Sequence, residues 1–299
     1  MIPQVTLGKT GLLVSRLCLG GYPFGGVNRA RDWDPFSPSG REQAIATVQA
    51  ALDAGINYID TAPAYGDGNS ESIIGAATEK RRDEFVLATK VGYRQPSPAD
   101  VRASVENSLR RLRTDVIDII QFHGGMYTAE EVAHILQGGL LDVLVELRDE
   151  GKVRFLGFTV EEPWTARPLI ATGAFDVMQV RYNLIYQAAA LHVLGEAQAA
   201  QMGVVTMRTM TSGIFQRLAQ NLAPGWQDAH DLYAAALQFV LSDSRVHVPI
   251  VGMRWPEEVA KNVELVSSFQ PSFDMADLPR MTAHIYRAED ETAGVRSEG

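Results

Sequence analysis

The sequence predicts a single (β/α)8 barrel that is preceded by a β-hairpin. Eight short apolar runs alternate strictly with eight helical segments, and several helices end at a glycine just before the next strand. Such alternation specifies a parallel sheet, and eight strands close that sheet into a barrel. The 299 residues, 46% of them hydrophobic, can build one large core. We therefore predict one domain over residues 1–299, with a loosely packed polar tail from about residue 271.

The predicted elements follow one another in a regular order. Residues 4–15 predict the hairpin, in which two short apolar strands flank the turn Gly8-Lys9-Thr10-Gly11. The barrel strands are predicted at Leu17–Gly20, Ile56–Asp60, Phe85–Thr89, Val116–Phe122, Phe155–Phe158, Val177–Val180, Val204–Met207 and Val246–Val251. The helices are predicted near residues 41–54, 70–80, 98–113, 129–150, 163–172, 188–202, 229–241 and 256–268. An open sheet of seven units is the structural alternative, but it leaves the hairpin and the last unit unexplained.

Composition and charge argue against several classes of partner. The net charge is −9 and no basic block offsets it, so the sequence predicts no nucleic-acid partner. Cys18 is the only cysteine and lies in an apolar run, which predicts a packed core thiol, with neither a disulfide nor a cysteine metal cluster. No run approaches the ~18 apolar residues of a membrane span, and the N-terminus lacks a signal stretch. These features predict a cytoplasmic protein with no membrane partner.

Ionisable side chains stand at the C-terminal ends of three successive predicted strands. Asp60 ends the second strand, and Tyr65 lies on the loop that follows it. Lys90 follows the third strand and His123 follows the fourth. A parallel barrel brings these strand ends to one mouth. Each residue alone is more often structural than functional, but their joint occurrence at neighbouring strand ends favours a catalytic site.

The chemistry of these groups is mutually consistent. A free tyrosine has a pKa of ~10, which a neighbouring lysine would lower, while Asp60 would supply the counter-ion that a buried Lys90 needs. His123 would hydrogen-bond and orient a carbonyl oxygen. The set suits proton donation to an oxygen while hydride arrives at carbon, and the hydride requires a cofactor because no side chain supplies one. A Schiff base on Lys90 is an alternative that leaves Tyr65 and Asp60 without roles, and the acid and histidine spacing predicts no metal site.

Several motifs resemble those of the aldo-keto reductase superfamily. They are "GINYIDTAPAYGDGNSESIIG", the lysine of "FVLATKVG", the histidine of "DVIDIIQFHG", "GKVRFLGFT", "FDVMQVRYNL" and "PIVGMR". The resemblance extends from the hairpin to about Asn262. It implies a (β/α)8 barrel that binds a nicotinamide dinucleotide without a Rossmann fold. It also implies that Asp60, Tyr65, Lys90 and His123 form a catalytic tetrad, with Tyr65 as the general acid/base.

At the expected nicotinamide site, some residues match those of the family and others differ. The family usually has Ser-Asn at the end of strand five to hold the carboxamide, whereas here Thr159 keeps a hydroxyl and Val160 loses the amide. Gln179 matches the carboxamide-binding glutamine of the family. Met207 stands where the family has an aromatic side chain that stacks on the nicotinamide. Arg208 would reach the cofactor's pyrophosphate or the substrate, with a surface ion pair as the alternative.

The last unit bears on the choice between NADP and NAD. The resemblance assigns these cofactor positions there: Gly252, Met253, Arg254, Glu258, Lys261 and Asn262. The backbone N–H groups of the first two would bind phosphate at the helix start. Glu258 stands where strongly NADP-dependent members have an arginine, and its charge would repel a 2′-phosphate. Arg254 and Lys261 would offset that charge, and related subgroups with a Gly-x-Arg sequence use NADP, so we expect NADP(H), with NAD(H) as the close alternative.

The βα loops predict a substrate site at the barrel mouth. The aromatic side chains expected to contact the substrate are Tyr22, Phe24, Tyr93 and Trp226. Trp226 ends the segment 212–226, which would form a lid after strand seven. Basic side chains of the mouth loops favour a polar aldehyde or sugar over a steroid: Arg29, Arg31 and Arg94.

These observations predict an NAD(P)-dependent oxidoreductase that transfers hydride between a nicotinamide and the carbonyl or alcohol carbon of a small molecule. An NAD-dependent sugar or alcohol dehydrogenase is the alternative of the same class. A non-catalytic regulatory or binding protein on the same fold is the alternative of a different class. The sequence leaves the oligomeric state open, including a homo-oligomer.

Overall fold

The computed structural model describes residues 1–26, 33–92, 94, 97–222, 225, 231–272 and 274–277. The strands in these residues are β1 (Gln4–Thr6), β2 (Leu13–Ser15), β3 (Cys18–Gly20), β4 (Tyr58–Asp60), β5 (Val86–Val91), β6 (Ile117–Phe122), β7 (Val153–Val160), β8 (Val177–Arg181), β9 (Gly203–Met207) and β10 (Val248–Gly252). The α-helices in the same residues are α1 (Pro38–Asp53), α2 (Asn69–Thr78), α3 (Pro98–Leu112), α4 (Ala129–Gln137), α5 (Leu140–Asp149), α6 (Arg167–Ala171), α7 (Ala188–His192), α8 (Leu194–Ala199), α9 (Ile214–Leu222), α10 (Leu232–Leu241) and α11 (Pro256–Ser268).

Strands β3 to β10 form a closed parallel barrel. Consecutive strands are neighbours in the sheet, and β10 pairs with β3 to complete the ring. The helices pack around the outside through a continuous cluster of buried apolar side chains. The predicted (β/α)8 barrel is therefore confirmed, and the open seven-unit sheet is excluded because no sheet edge remains between β10 and β3.

The N-terminal hairpin closes the end of the barrel that lies opposite the C-terminal strand ends. β1 and β2 pair in antiparallel fashion, which confirms the predicted hairpin. Leu7 and Val14 are fully buried and pack against Cys18 and Tyr58 in the barrel interior. The hairpin also bonds to the barrel wall, because the N–H of Lys9 donates to the Gln201 carbonyl at 2.7 Å. Water is thereby kept from this end, and the opposite mouth is left for chemistry.

The strand registers set the order of side chains inside the barrel. In such barrels each interior layer takes one side chain from every second strand. The registers give a layer at the C-terminal mouth that consists of Gly20, Lys90, Thr159 and Met207. The next layer inward consists of Asp60, Gln121, Gln179 and Ile250. The two layers nearest the mouth thus contain most of the polar side chains of the barrel interior, whereas the layers beneath are mainly apolar.

Several predicted helices differ from the structure at glycines and helix caps. The helix predicted over 129–150 is two helices, α4 and α5, because Gly139 has a φ of +81° that a continuous helix does not allow. The segment predicted at 188–202 is likewise broken at Val193 into α7 and α8. The segment 163–172 begins as a 3-10 turn before α6. α1 begins earlier than predicted because Ser37 caps it.

Some predictions fall partly outside the described residues. The segment 212–226 contains α9, but Trp226 lies outside the described residues. α10 is described from Leu232, with Asp231 as its N-cap, and residues 229–230 of the predicted helix are not described. The predicted polar tail lies almost wholly outside the described residues. Within the described helices, none is both long and apolar enough to cross a bilayer.

Candidate active site

Lys90 lies at the centre of the site because the inward-facing end of β5 carries it into the barrel. The residue is only 1% exposed. Its Nζ lies 2.7 Å from Asp60 Oδ2, 2.7 Å from the Thr61 carbonyl oxygen and 3.2 Å from Tyr65 Oη. An ammonium has three N–H donors, so these contacts use all of them. Lys90 is therefore held as a cation rather than as a free amine, which argues against the Schiff-base alternative.

Asp60 and Lys90 form a buried ion pair. Burial by itself would lower the pKa of Lys90, but the Asp60 carboxylate and Tyr65 raise that pKa above its usual value. Burial raises the pKa of Asp60, while Lys90 and the amides of Gln121 and Gln179 oppose the rise. Because a buried charge is tolerated only when it is paired and hydrogen-bonded, each member of the pair depends on the other.

Tyr65 is fixed by two loops at the barrel mouth. Its backbone N–H donates to the Ala62 carbonyl at 3.1 Å, and the Gly68 N–H donates to the Pro63 carbonyl at 2.8 Å. The loop after β3 presses against the same residue. A Cβ on Gly25 would lie 2.7 Å from the Tyr65 carbonyl carbon, so only glycine permits this approach. The position of the phenol is thus set by backbone contacts rather than by the side chain alone.

The phenol of Tyr65 does not have the lowered pKa that the sequence predicted. Burial raises the pKa of Tyr65 above its usual value, and the charge of Lys90 opposes the rise without overcoming it. Lys90 thus acts on the pKa of Tyr65 in the predicted direction, but the loss of water around a phenolate outweighs the attraction of one ammonium. Tyr65 is therefore a neutral O–H group here. Since its oxygen accepts from Lys90, its own proton is left for a ligand at the mouth.

His123 completes the group at the end of β6. Its backbone N–H donates to the Val91 carbonyl at 2.8 Å, and its ring centroid lies 5.8 Å from that of Tyr65 in an edge-to-face arrangement. Burial, together with the charge of Lys90, lowers the pKa of His123 to about 3. The imidazole is consequently neutral at pH 7. It can donate a hydrogen bond to an oxygen beside Tyr65 but holds no extra proton to give.

The structure brings the predicted side chains Asp60, Tyr65, Lys90 and His123 together, and it adds Gln121. Gln121 is fully buried, and its Nε2 lies 3.2 Å from Asp60 Oδ1. Sequence reasoning missed this residue, although a signal was present. Gln121 is an amide residue inside the apolar run Ile119–Phe122. It lies two residues before His123, so both side chains are expected on the same, inward face of the strand.

The predicted nicotinamide residues lie near Lys90, but their hydrogen-bonding states differ. The Thr159 hydroxyl donates to the Gly124 carbonyl at 2.7 Å and accepts from the Gly124 N–H at 3.0 Å, so it is committed to the backbone instead of being free for a carboxamide. Gln179 is buried, and its Oε1 has no hydrogen-bond partner in the part of the chain that is described. Half-buried Met207 shares the mouth layer with Gly20, where a Cβ would lie only 2.7 Å from Ile250 Cγ2. A buried amide acceptor without a partner suits a ligand group that carries N–H donors.

Arg208 makes the ion pair that the sequence analysis named as its alternative role. Its Nε lies 3.0 Å from Glu161 Oε1. Glu161 follows β7, and sequence reasoning did not single it out, although Glu161-Glu162 directly follow a strand end. Arg181 joins the same network through Glu162 Oε1 at 2.5 Å and stacks over the Tyr186 ring at 3.6 Å. A pyrophosphate that bound the same edge of the Arg208 guanidinium would have to replace Glu161.

Glu258 occupies the start of the last helix. Its Oε2 accepts from the Arg254 backbone N–H at 2.6 Å, while its carbonyl accepts from Asn262 Nδ2 at 2.7 Å. The carboxylate thus takes an N–H near the N-terminus of α11 that would otherwise favour a phosphate. Lys261 is paired with Asp231 at 2.7 Å. Of the two cations expected to offset Glu258, Lys261 therefore already has an acidic partner.

The segment between β10 and α11 is held closely against the loop after β3 and against α1. A Cβ on Gly252 would lie 2.8 Å from Pro23 Cγ. The Met253 side chain is fully buried, so only its backbone remains for a ligand. The Arg254 carbonyl accepts from Thr47 Oγ1 at 2.7 Å. These contacts fix the backbone at which the sequence analysis placed the phosphate groups.

The predicted substrate residues are only partly accessible. Tyr22 is 49% exposed, and its ring centroid lies 5.1 Å from that of Tyr65, so it stands at the mouth. Phe24 is fully buried beside Trp33, which corrects the expectation that it contacts substrate. The 3-10 turn Tyr22–Gly25 is the reason, since it directs Phe24 into the core and Tyr22 outward. Arg94 is exposed, and its Nε donates to Glu131 Oε1 at 2.7 Å. The other predicted mouth residues lie outside the described residues: Tyr93, Trp226, Arg29 and Arg31.

Metal chemistry has no candidate site within the described residues. No group of three or more His, Cys, Asp or Glu side chains is suitably arranged there to hold an ion. The acids near the mouth are paired instead with Lys90, Arg181 and Arg208.

Comparison with known proteins gives similar sequences of named activity. The chain is 33% identical over 224 residues to the aldo-keto reductase YhdN of Bacillus subtilis, covering 70% of this chain and 62% of that one. It is 28% identical over 294 residues to L-galactose dehydrogenase of Arabidopsis thaliana, covering 88% of each. It is 33% identical over 210 residues to the NADH-specific methylglyoxal reductase of Escherichia coli, covering 62% of this chain and 60% of that one. The chain thus spans less than two thirds of the first and third relatives.

Solved structures share the fold over most of the chain. A holo-form aldo-keto reductase of Bacillus halodurans superposes with a TM-score of 0.75 at 25% identity, covering 91% of this chain and 92% of that one. An aldo/keto reductase of Klebsiella pneumoniae in complex with NADP and acetate has a TM-score of 0.74 at 23% identity, covering 94% and 95%. At that identity the Klebsiella match speaks for the fold alone.

A family model matches the greater part of the chain. The model is that of the aldo/keto reductase family, and the match covers residues 16–285, from the first barrel strand to beyond the last described helix. This range contains the whole barrel and all the side chains gathered around Lys90. The chain belongs to the aldo/keto reductase family, whose members are oxidoreductases that act on carbonyl and alcohol groups.

Proposed function

We propose that this protein transfers hydride between a nicotinamide dinucleotide and the carbonyl or alcohol carbon of a small aldehyde or sugar. The observation that carries the proposal is the full use of the Lys90 ammonium. One N–H holds Asp60, one holds the Thr61 carbonyl, and the third reaches Tyr65 Oη at 3.2 Å. A lysine held in this way serves to stabilise a phenolate that has lost its proton.

The residues at the mouth fit the cofactor. Gln179 Oε1 would accept from the carboxamide, and Met207 would lie against the face of the ring. When bound, the cofactor supplies or accepts a hydride at the nicotinamide carbon C4, which no side chain can do. Arg208 would release Glu161 to hold the pyrophosphate, since arginine binds phosphate oxygens in a bidentate manner.

Tyr65 would move the proton. As hydride reaches the carbonyl carbon, the substrate oxygen gains charge and takes the phenol proton, which leaves a phenolate beside Lys90. Neutral His123 would donate a hydrogen bond to the same oxygen and fix its direction. Solvent then returns a proton to Tyr65. In the oxidative direction the same groups act in reverse, with the phenolate as the base.

The nucleotide preference depends on the start of α11. We propose NADP(H) as the cofactor because a Gly-x-Arg sequence, Gly252 to Arg254, precedes the helix, as in the NADP-dependent subgroups that the sequence resembles. NAD(H) is the second candidate, since Glu258 places a carboxylate at the Arg254 N–H and one relative is named NADH-specific.

The Glu258→Gln variant is expected to raise the ratio of kcat/KM with NADPH to kcat/KM with NADH by about 10-fold, or ~1.4 kcal/mol. The amide keeps the shape and the acceptor for Arg254 but removes the charge that a 2′-phosphate would meet. Steady-state kinetics with both cofactors would measure the ratio. Glu257→Gln is the matched control, because Glu257 is an exposed acid in the same helical turn. An equal change in both variants would show that Glu258 does not face the nucleotide.

The substrate and direction are tested by cofactor turnover. We expect NAD(P)H oxidation with at least one polar aldehyde, measured at 340 nm, and NAD(P)⁺ reduction with sugars if the protein works as a sugar dehydrogenase. The second outcome would favour the dehydrogenase alternative, in keeping with the name of the Arabidopsis relative. Binding of cofactor without turnover on any carbonyl or sugar would favour a regulatory protein on this fold and would contradict the proposal.

The partners and the cellular compartment can be proposed from the net charge and from Cys18. We propose that the partners are small molecules rather than nucleic acids or membranes, given a net charge of −9. The thiol of Cys18 is buried in the barrel, which suits a reducing compartment such as the cytoplasm. Light scattering of the purified protein would determine whether it is a homo-oligomer.

A further inference from the structure

We propose that Gln121 is a positioning residue that fixes the Asp60 carboxylate against Lys90 and so controls the proton chemistry of Tyr65. The inference rests on the proposed function and extends it by one residue. Gln121 lies in the same interior layer as Asp60 and donates from Nε2 to Asp60 Oδ1 at 3.2 Å. The other carboxylate oxygen, Oδ2, accepts from Lys90 at 2.7 Å. Gln121 therefore acts through Asp60 and not on the reacting atoms.

The orientation of the Gln121 amide is determined by its partner. An ionised carboxylate only accepts hydrogen bonds, so the amide must turn its NH2 group toward Asp60. Its oxygen is then left buried without a hydrogen-bond partner in the described part of the molecule. Burying an unpaired amide oxygen is unfavourable, and an apolar side chain would avoid it. A residue chosen only to fill the barrel would therefore not be a glutamine, whereas one that must donate to Asp60 would be.

Packing prevents the Gln121 side chain from turning away. Gly157 is its register partner on β7, and a Cβ at Gly157 would lie 3.0 Å from Gln121 Cγ. The glutamine stem thus lies directly against the β7 backbone. Lys90 on Oδ2 and Gln121 on Oδ1, together with the Gln179 amide, keep the Asp60 carboxylate from rotating. Lys90 is then held at the point from which its third N–H reaches Tyr65.

The charges around Asp60 show what the loss of Gln121 would do. The titratable groups that face Asp60 are Lys90 on β5, Cys18 on β3, Tyr58 on β4 itself and Tyr65 on the loop. Burial raises the pKa of Cys18 and of Tyr58 well above their usual values, so both stay neutral. Without the amide donor, the pKa of Asp60 would rise further. Lys90 would then lose its counter-ion at a higher pH than in the wild type.

The test uses two substitutions of similar shape, Gln121→Met and Gln121→Glu. For Gln121→Met we expect the acidic limb of the kcat profile to move to higher pH by about one to two units. The free energy of a hydrogen bond to a charged group corresponds to a pKa shift of about that size. For Gln121→Glu we expect the added negative charge to raise the pH at which Tyr65 ionises. That pH is measured in the absence of turnover, by following the tyrosinate absorbance at 295 nm as the pH is raised. The contribution of Tyr65 is the part of the absorbance that is lost when Tyr65→Phe is introduced into the same protein.

The matched control is Tyr58→Phe, which removes a buried hydroxyl that has no hydrogen-bond partner among the described residues and lies deeper in the barrel than Asp60. It should leave both pH profiles unchanged. A lower melting temperature in the Gln121 variants, with the kcat profile and the Tyr65 titration unmoved, would show a purely structural glutamine and overturn the inference. A wild type without turnover would contradict the proposed function, while the Tyr65 titration would still decide the role of Gln121.

Discussion

The Tyr65→Phe variant is expected to lower kcat by about 10³-fold, the size of the contribution that a general acid makes. The substitution removes the one hydroxyl in the described part of the chain whose oxygen is held by Lys90, at 3.2 Å. His123 cannot replace it, because burial and Lys90 lower its pKa to about 3 and leave it neutral. The phenylalanine ring keeps the packing against Tyr22 and His123, so the mouth should retain its shape.

The effect on chemistry must be separated from an effect on binding. Cofactor affinity, measured by the quenching of tryptophan fluorescence, should be almost unchanged in Tyr65→Phe, since the phenol oxygen contributes to proton transfer and not to the proposed cofactor contacts. Tyr233→Phe makes the same chemical change at an exposed position on α10 and should have wild-type kcat. If Tyr65→Phe also kept its kcat, Tyr65 could not be the proton donor.

The fold could be predicted because its signals are local. Glycines after helices and apolar runs mark the ends of the βα units without knowledge of the rest of the chain. The site residues Asp60, Lys90 and His123 could be predicted in the same way, because the C-terminal ends of the parallel strands of a barrel lie at one mouth. The hairpin at the other end was also predictable, because its two apolar strands flank a glycine-containing turn.

The errors come from properties that depend on distant residues. Gln121 reaches Asp60 across 61 positions of sequence, and only the closed barrel reveals that contact. Phe24 was expected at the mouth because it lies on a mouth loop, but one 3-10 turn directs it into the core. The pKa of Tyr65 was expected to fall because a lysine is near, yet the sequence does not show how completely water is excluded. The residue types indicate which charges can pair, whereas the loss of solvent around a group depends on the folded barrel.

The Lys90→Met variant is expected to abolish measurable turnover and to lower the free energy of unfolding by about 3–5 kcal/mol, the cost of leaving one member of a buried ion pair without its partner. Asp60 would remain 2% exposed with its charge uncompensated. Methionine has a similar length, so the loss would not come from a cavity. Urea unfolding followed by circular dichroism would measure the change, and the apparent stability should recover at low pH, where Asp60 becomes protonated.

The double variant Asp60→Asn/Lys90→Met distinguishes what the pair does for folding from what it does for catalysis. Removing both charges leaves a buried amide and an apolar side chain, and replacement of a buried pair in this way is often close to neutral for stability. We expect a coupling free energy of about 2–3 kcal/mol from the double-mutant cycle, so that the double variant unfolds at a higher urea concentration than Lys90→Met alone. Turnover should not return, because nothing then stabilises the Tyr65 phenolate. Recovery of turnover together with stability would mean that Lys90 only supports the fold, and Tyr65 would need another source of charge.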